Sequence, residues 1–209
     1  MAVRPAWSIK DHKIIRQDFE FAWNSGLNIK QKQKNVDALH ESIRNKTGES
    51  ALEVSSKGRV PLGVSLSAFN LEYHGFKVEN VFQASKSFAE IGPNRGILGA
   101  TPGEAKAYAN RVHSFALKAF VLDEVEWPLE PKTAFYDYLY VSAVYAKYGE
   151  ALDVSEYSWY TDIEFNPQKS INCQARALAV YKLLQAEGDF GVLSDKDKWM
   201  EFHKATVLG

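Results

Sequence analysis

Glu79 and Lys86 stand seven residues apart in the run Val78-Glu79-Asn80-Val81-Phe82-Gln83-Ala84-Ser85-Lys86-Ser87-Phe88-Ala89-Glu90. Two helical turns, roughly 10 Å along the axis, would separate the carboxylate from the amine. That is long for a direct ion pair but suits two groups flanking a small ligand. A second carboxylate, Asp162, closes the aromatic stretch Tyr157-Ser158-Trp159-Tyr160-Thr161, whose rings offer stacking surfaces for a base. Ser170, Ile171 and Asn172 read as the start of a long helix, where free N–H groups and the positive dipole end suit a pyrophosphate. A third polar place is the loop Leu66–Leu71, with Phe69 and Asn70. Each pattern also has a purely structural reading: the solvated face of an amphipathic helix, or an N-cap after a loop.

The elements that must position these groups follow from periodicity and punctuation. At 100° per residue, Val78, Val81, Phe82, Ala84, Ser85, Phe88 and Ala89 share one arc. Glu79, Gln83, Lys86 and Glu90 share the opposite strip, which predicts a helix over the whole run. Upstream, the alternation of Gln17–Trp23 predicts a short strand. The spacing of Ile29, Val36, Leu39 and Ile43 predicts a helix from Ile29 to about Lys46, stopped by Gly48. Lys30, Lys32 and Lys34 at its front are either solvated or in contact with an anionic partner. Ala51–Val54 and Leu62–Leu66 read as short strands, and Tyr73-His74-Gly75-Phe76 as a hairpin-like turn.

Thr101, Pro102 and Glu104 form a capping pattern that opens a helix to about Ala119. Thr133–Tyr148 reads as an aromatic helix with a core stripe of Phe135, Tyr138, Leu139, Ser142 and Tyr145. Residues 157–169 read as a long loop, and Ser170 as the N-cap of a helix ending at Gly188. Ser194–Gly209 has room for one more short helix. No repeat or composition break divides the chain. The expectation is one α+β domain, predominantly α-helical, with a few short strands near the N-terminal half. Its core motifs span about 62–190, with 1–28 as an N-terminal extension and 194–209 as a C-terminal tail.

The 209 residues are 45% hydrophobic and 13% aromatic, enough for a sizeable core. A net charge of −1 removes any global field that would pull the protein onto nucleic acid, so such contact needs a local basic patch. The one cysteine, Cys173, excludes an internal disulfide and fits a reducing compartment; early in a helix it reads as a small core residue. The five histidines, His113 among them, have no zinc-like spacing, and no glycine-rich cofactor motif or nucleophile elbow occurs. No metal and no cofactor is expected. Met1–Lys10 lacks an apolar leader, and no run approaches a membrane span, so a cytoplasmic protein is expected.

The segments Leu66-Ser67-Ala68-Phe69-Asn70 and Glu79-x-x-Phe82-Gln83-Ala84-x-Lys86 resemble the two N-terminal motifs of the NADAR (YbiA-like) superfamily. Asp162 and Asn172 resemble its third motif, although Trp159-Tyr160-Thr161 lacks that motif's glycine. Met1–Ala6, Gln31–Lys34, Trp127–Asp137, Thr161–Pro167 and Ser170–Ala175 are similar to the NADAR antitoxins encoded beside DarT toxins. The resemblance implies a hydrolase that removes ADP-ribose from the guanine amino group of ADP-ribosylated, single-stranded DNA, releasing ADP-ribose. It implies Glu79 as general acid/base and Lys86 as nucleophile or ordering charge. Asp162 would bind the ribose or activate water. Phe69, Asn70 and Trp159 would line the base and ribose pocket, with Gln83 beside them, and Ser170 and Asn172 would meet the diphosphate. Two other readings stand beside it: an N-glycosidase acting on a free riboflavin-pathway metabolite, and a non-catalytic module that binds ADP-ribose or the toxin.

Overall fold

The computed structural model describes residues 1–112 and 114–207; His113 and the end of the expected tail, Leu208 and Gly209, lie outside the described residues. The first element is a long hairpin. Strands β1 (Ala2–Lys10) and β2 (Lys13–Phe21) pair antiparallel from Ala2↔Phe21 to Lys10↔Lys13. Asp11 and His12 both hold positive φ, 50° and 58°, the geometry of a tight turn that matches strand twist. These residues are therefore part of the main sheet rather than a peripheral extension.

That sheet has the order β2-β1-β9-β3, with β3 at Ala51–Glu53 and β9 at Trp159–Thr161. β9 runs antiparallel to β1 and parallel to β3. Alternation along each strand sends neighbours to opposite faces. Phe19, Phe21, Ala6 and Trp159 pack under Val36, Leu39 and Ile43 of helix α1 (Ile29–Thr47). Trp7, Leu52 and Tyr160 pack on the other face against helices α5 (Ala134–Tyr148) and α6 (Gln174–Glu187). The stretch expected to be a loop at 157–169 thus contains a buried central strand. Its two neighbours, β1 and β3, pair with its N–H and C=O groups, which outweighs its polar composition.

Helix α1 begins at Asn28, whose side chain accepts the Gln31 N–H at 2.9 Å, and ends at Gly48 with φ 78°. Pro61–Ser65, expected as a strand, is the short helix α2. Pro61 occupies its first turn, where a missing N–H costs nothing. Gly63 lies so close to Glu53 that a Cβ there would sit 2.1 Å from the Glu53 carbonyl oxygen. Strands β4 (Glu72–Tyr73) and β5 (Phe76–Lys77) form the expected hairpin around His74-Gly75.

The run from Val78 to Glu90 is not one helix. Helix α3 covers Val78–Ala84, and Lys86–Phe88 is strand β6. β6 joins β7 (Leu117–Leu122) and β8 (Val125–Trp127) in an antiparallel sheet of order β6-β7-β8. The Ser85 carbonyl accepts the Val121 N–H at 2.7 Å, so pairing with β7 captures the backbone where α3 would have continued. The same pairing shortens helix α4 to Pro102–Val112, because Ala119 belongs to β7. Its start is as read: Glu104 accepts from the Thr101 N–H at 2.7 Å, and Thr101 Oγ accepts the Glu104 N–H.

Helix α5 is enclosed almost all round. Phe135 and Leu139 of the expected stripe are buried, as are Tyr136, Tyr140, Val141 and Val144, whereas Tyr138, Ser142 and Tyr145 are only partly covered. Helix α6 starts at Gln174 rather than after Ser170, and Gly188, φ 66°, ends it. Helix α7 (Lys196–Thr206) closes the described chain. The architecture is α+β. Among the described residues, no helix is long and apolar enough to cross a membrane.

Candidate active site

One cleft of about 630 Å³ gathers five of the residues singled out from the sequence: Phe69, Glu79, Asp162, Ser170 and Asn172. Its wall is tied together by main-chain and amide contacts. The Glu79 N–H donates to the Ala68 carbonyl at 3.1 Å, fixing the first turn of α3 against the Phe69 loop. Gln174 is 6% exposed and bridges two segments. Its Oε1 accepts the Ala68 N–H at 2.7 Å, and its Nε2 donates to Asp162 Oδ2 at 2.9 Å. Phe69 is half exposed at the edge of the cleft.

Asp162 is the most perturbed carboxyl facing the cleft. Burial, followed by the nearby Glu53 carboxylate, pushes its pKa up to about 7, against the pull of the Gln174 hydrogen bond. Glu53 sits beneath, 2% exposed, and its own pKa is raised, first of all by burial. Its two oxygens accept from Thr161 Oγ1 at 2.7 Å and from the Ile163 N–H at 2.8 Å, which fixes the chain on either side of Asp162. Because Thr161 gives its only O–H to Glu53, the 2.8 Å contact to His40 requires an N–H on His40 Nε2. Burial lowers the His40 pKa to about 4, so that ring stays neutral.

Lys86 does not line the cleft, yet it is connected to Glu79 despite the broken helix. Its Nζ donates to Gln83 Oε1 at 2.8 Å, and Gln83 Nε2 donates to Glu79 Oε1 at 2.9 Å. The ammonium also lies 4.8 Å from the Phe82 ring centre. Burial lowers the Lys86 pKa, opposed by the Glu79 charge.

Four sequence expectations meet a different geometry. Trp159 is 4% exposed beneath α1, edge-on to Phe19, with its indole N–H donated to Glu49 at 2.7 Å. It faces away from the cleft because its neighbour Tyr160 takes the other side of the strand. Asn70 turns back to the Val64 carbonyl at 2.8 Å. Ser170 caps no helix; its hydroxyl donates to the Asn172 carbonyl at 3.2 Å, so Ser170 and Asn172 enter the cleft from a loop. Lys32 reaches Glu164 at the cleft edge, 2.9 Å away, while Lys30 and Lys34 are exposed and outside the lining.

Sequence reasoning missed Tyr136, Gln174 and Glu53. Tyr136 lines the cleft, and burial, followed by the Glu79 charge, raises its pKa well above the ordinary phenol value, keeping it a proton donor. It lies one position off the expected core stripe. Glu53 was visible only as a lone carboxylate between Leu52 and Val54 in a strand.

A cleft with convergent carboxylates, a phenol and an aromatic edge is the arrangement of a small-molecule or catalytic site in an α+β scaffold. The chain belongs to the DarT1-associated NADAR antitoxin family, whose model matches residues 2–208. That membership links it functionally to a DarT toxin. No curated protein matches the chain.

Proposed function

We propose that this antitoxin is a glycohydrolase that removes ADP-ribose from the guanine amino group of ADP-ribosylated DNA. The observation that carries the reading is the meeting of Glu79 and Asp162 in one 630 Å³ cleft, with the Asp162 pKa lifted to about 7. Cleavage of the C1″–N bond passes through an oxocarbenium-like state, which a pair of carboxyl groups serves in two ways. Glu79 protonates the departing guanine nitrogen. Asp162, poised near neutrality, takes a proton from the water that adds to C1″. The products are ADP-ribose and restored guanine. Phe69 and Tyr136 border the sugar and base, and the Asn172 side-chain oxygen Oδ1, buried without a partner, accepts from a ribose hydroxyl. An unstacked guanine in single-stranded DNA enters such a cleft without the full energy of extrusion.

The lowered Lys86 pKa favours a second route to the same products. In it the neutral amine leaves Gln83 and attacks C1″, while Glu79 protonates the leaving nitrogen. Ring opening gives a Schiff base, which water hydrolyses. Borohydride separates the routes. A trapped adduct on Lys86 establishes the covalent one, whereas no adduct together with near-normal turnover in Lys86→Arg leaves Lys86 to position Glu79 through Gln83.

The decisive experiment mixes the protein with a guanine-ADP-ribosylated oligonucleotide and analyses the products. Free ADP-ribose and unmodified guanine are expected, with turnover lost in Glu79→Gln. Full turnover by Glu79→Gln would remove the assignment. Faster cleavage of a free ribosylated metabolite would move the substrate away from DNA, and toxin co-purification with the modification intact would mark a binding module instead.

A further inference from the structure

A second cavity of about 420 Å³ adjoins the cleft, and Phe165 and Ser170 line both. Its lining carries the opposite balance of charge. The cleft presents Glu79, Asp162 and Glu164 with two lysines, Lys57 and Lys169, whereas the groove presents Arg16, Lys132 and Arg176 against one carboxylate, Glu130. Arg176 and His203 form an inner wall that is built rather than incidental. Arg176 is 7% exposed and grips Asp137 through two hydrogen bonds of 2.9 and 3.0 Å; His203 is 2% exposed and meets Asp137 at 2.8 Å. Asp137 is buried beneath them, so it balances charge without occupying the groove. A third Arg176 contact, to the Ile171 carbonyl at 3.0 Å, still leaves guanidinium N–H groups for a ligand.

At the edge, Lys132 is exposed and has no ion pair among the described residues. Arg16 holds only the exposed Asp18, at 3.0 Å. An exposed pair of that kind contributes little and exchanges readily for another anion. The chain as a whole carries a charge of −1, so this concentration of cations beside the cleft is local.

We propose that the groove holds the phosphodiester backbone of the strand flanking the modified guanine, while the neighbouring cleft takes the guanine-linked sugar. The assignment rests on the glycohydrolase reading for its substrate and adds a strand-binding site to it. Arg16 and Lys132 neutralise phosphates at the edge, and Phe165 with Ser170 forms the ridge over which the strand passes from groove to cleft. Sequence pointed instead to Lys30–Lys34, whose Lys32 is already committed to Glu164.

The test uses the full chain and a fluorescent, unmodified single-stranded oligonucleotide containing guanine, followed by anisotropy. The double variant Arg16→Ala/Lys132→Ala should bind about 10-fold more weakly, and its log K against log salt slope should be shallower by about 1 to 1.5. On the ADP-ribosylated oligonucleotide its KM should rise with kcat unchanged. On ADP-ribosylated guanosine, which has no flanking phosphate, both constants should stay at the wild-type value. Unchanged oligonucleotide affinity and salt slope would overturn the proposal. An equal rise in KM on both substrates would also overturn it, placing the modifier's own diphosphate in the groove. If wild type binds the oligonucleotide through these residues but releases no ADP-ribose, the glycohydrolase reading fails and the strand site stands.

Discussion

Gln174→Met tests the construction of the cleft without presuming its chemistry. Methionine keeps the length of the side chain but removes both bonds of the bridge, the 2.7 Å one to Ala68 and the 2.9 Å one to Asp162. The stranded Ala68 N–H costs about 1–3 kcal/mol, and the hydrogen bond to charged Asp162 adds about 1.5–3 kcal/mol wherever Asp162 is ionised. The Asp162 pKa is raised on folding, from 3.8 to about 7, so its native state binds the extra proton between those values. Wild-type stability from this group is therefore intact below about pH 4 and is lost as pH rises to about 7. Gln174 lowers that pKa, so its removal pushes the decline to higher pH.

At pH 5, where Asp162 is protonated, only the Ala68 bond is at stake. With a urea m-value of about 2 kcal/mol/M, the midpoint should drop by about 0.5–1.5 M. At pH 8.5 the added term should widen the drop to about 1.2–3 M. Equal drops at the two pH values, or a change under about 0.3 M at both, would refute the bridge as the element that holds Asp162 against the Phe69 loop.

Gly63→Ala places a Cβ 2.1 Å from the Glu53 carbonyl oxygen and should cost about 1–3 kcal/mol, a fall of about 3–10 °C in Tm; an unchanged Tm would show that β3 and α2 separate freely. His40 has its pKa depressed from 6.5 to about 4, so its contribution is present above pH 6.5 and lost as pH falls toward 4. Its ring NMR signals should titrate near pH 4 as an Nε2–H tautomer, and a midpoint above 6 would contradict the buried Thr161–Glu53 chain. Asp137→Ala strands Arg176 and should destabilise by about 3–5 kcal/mol in urea unfolding, whereas replacing both partners with leucine should cost much less. Similar losses in the two would mean that packing, not charge, dominates there.

Much of the scaffold was legible because local chemistry and tertiary need agreed. Asn28 and Gly48 bound α1, Thr101 and Glu104 open α4, and Gly188 ends α6, each through hydrogen bonds made within a few residues. Where a long-range partner competed, local reading failed. Ser85–Phe88 continues a good helical pattern, yet β7, some thirty residues on, takes its backbone. Trp159–Thr161 looked like a polar loop until β1 and β3 supplied partners on both sides. Pro61–Ser65 has strand-like composition, but Pro61 and the close approach of Gly63 to Glu53 favour a helical turn.

The sequence by itself determined the chemical inventory and the family. It singled out Glu79, Asp162, Phe69, Ser170 and Asn172, five residues of the cleft, and set Lys86 beside them as a further candidate. Only the tertiary structure decided how these groups meet. Lys86 reaches Glu79 from a strand through Gln83 rather than along one helical face, because three-residue side-chain contacts survive a change of backbone that a helical wheel does not. Trp159 left the site because a strand sends adjacent residues to opposite faces. Asp162 acquired its raised pKa from burial and from Glu53, more than a hundred residues away in the chain, and no local pattern encodes such an encounter.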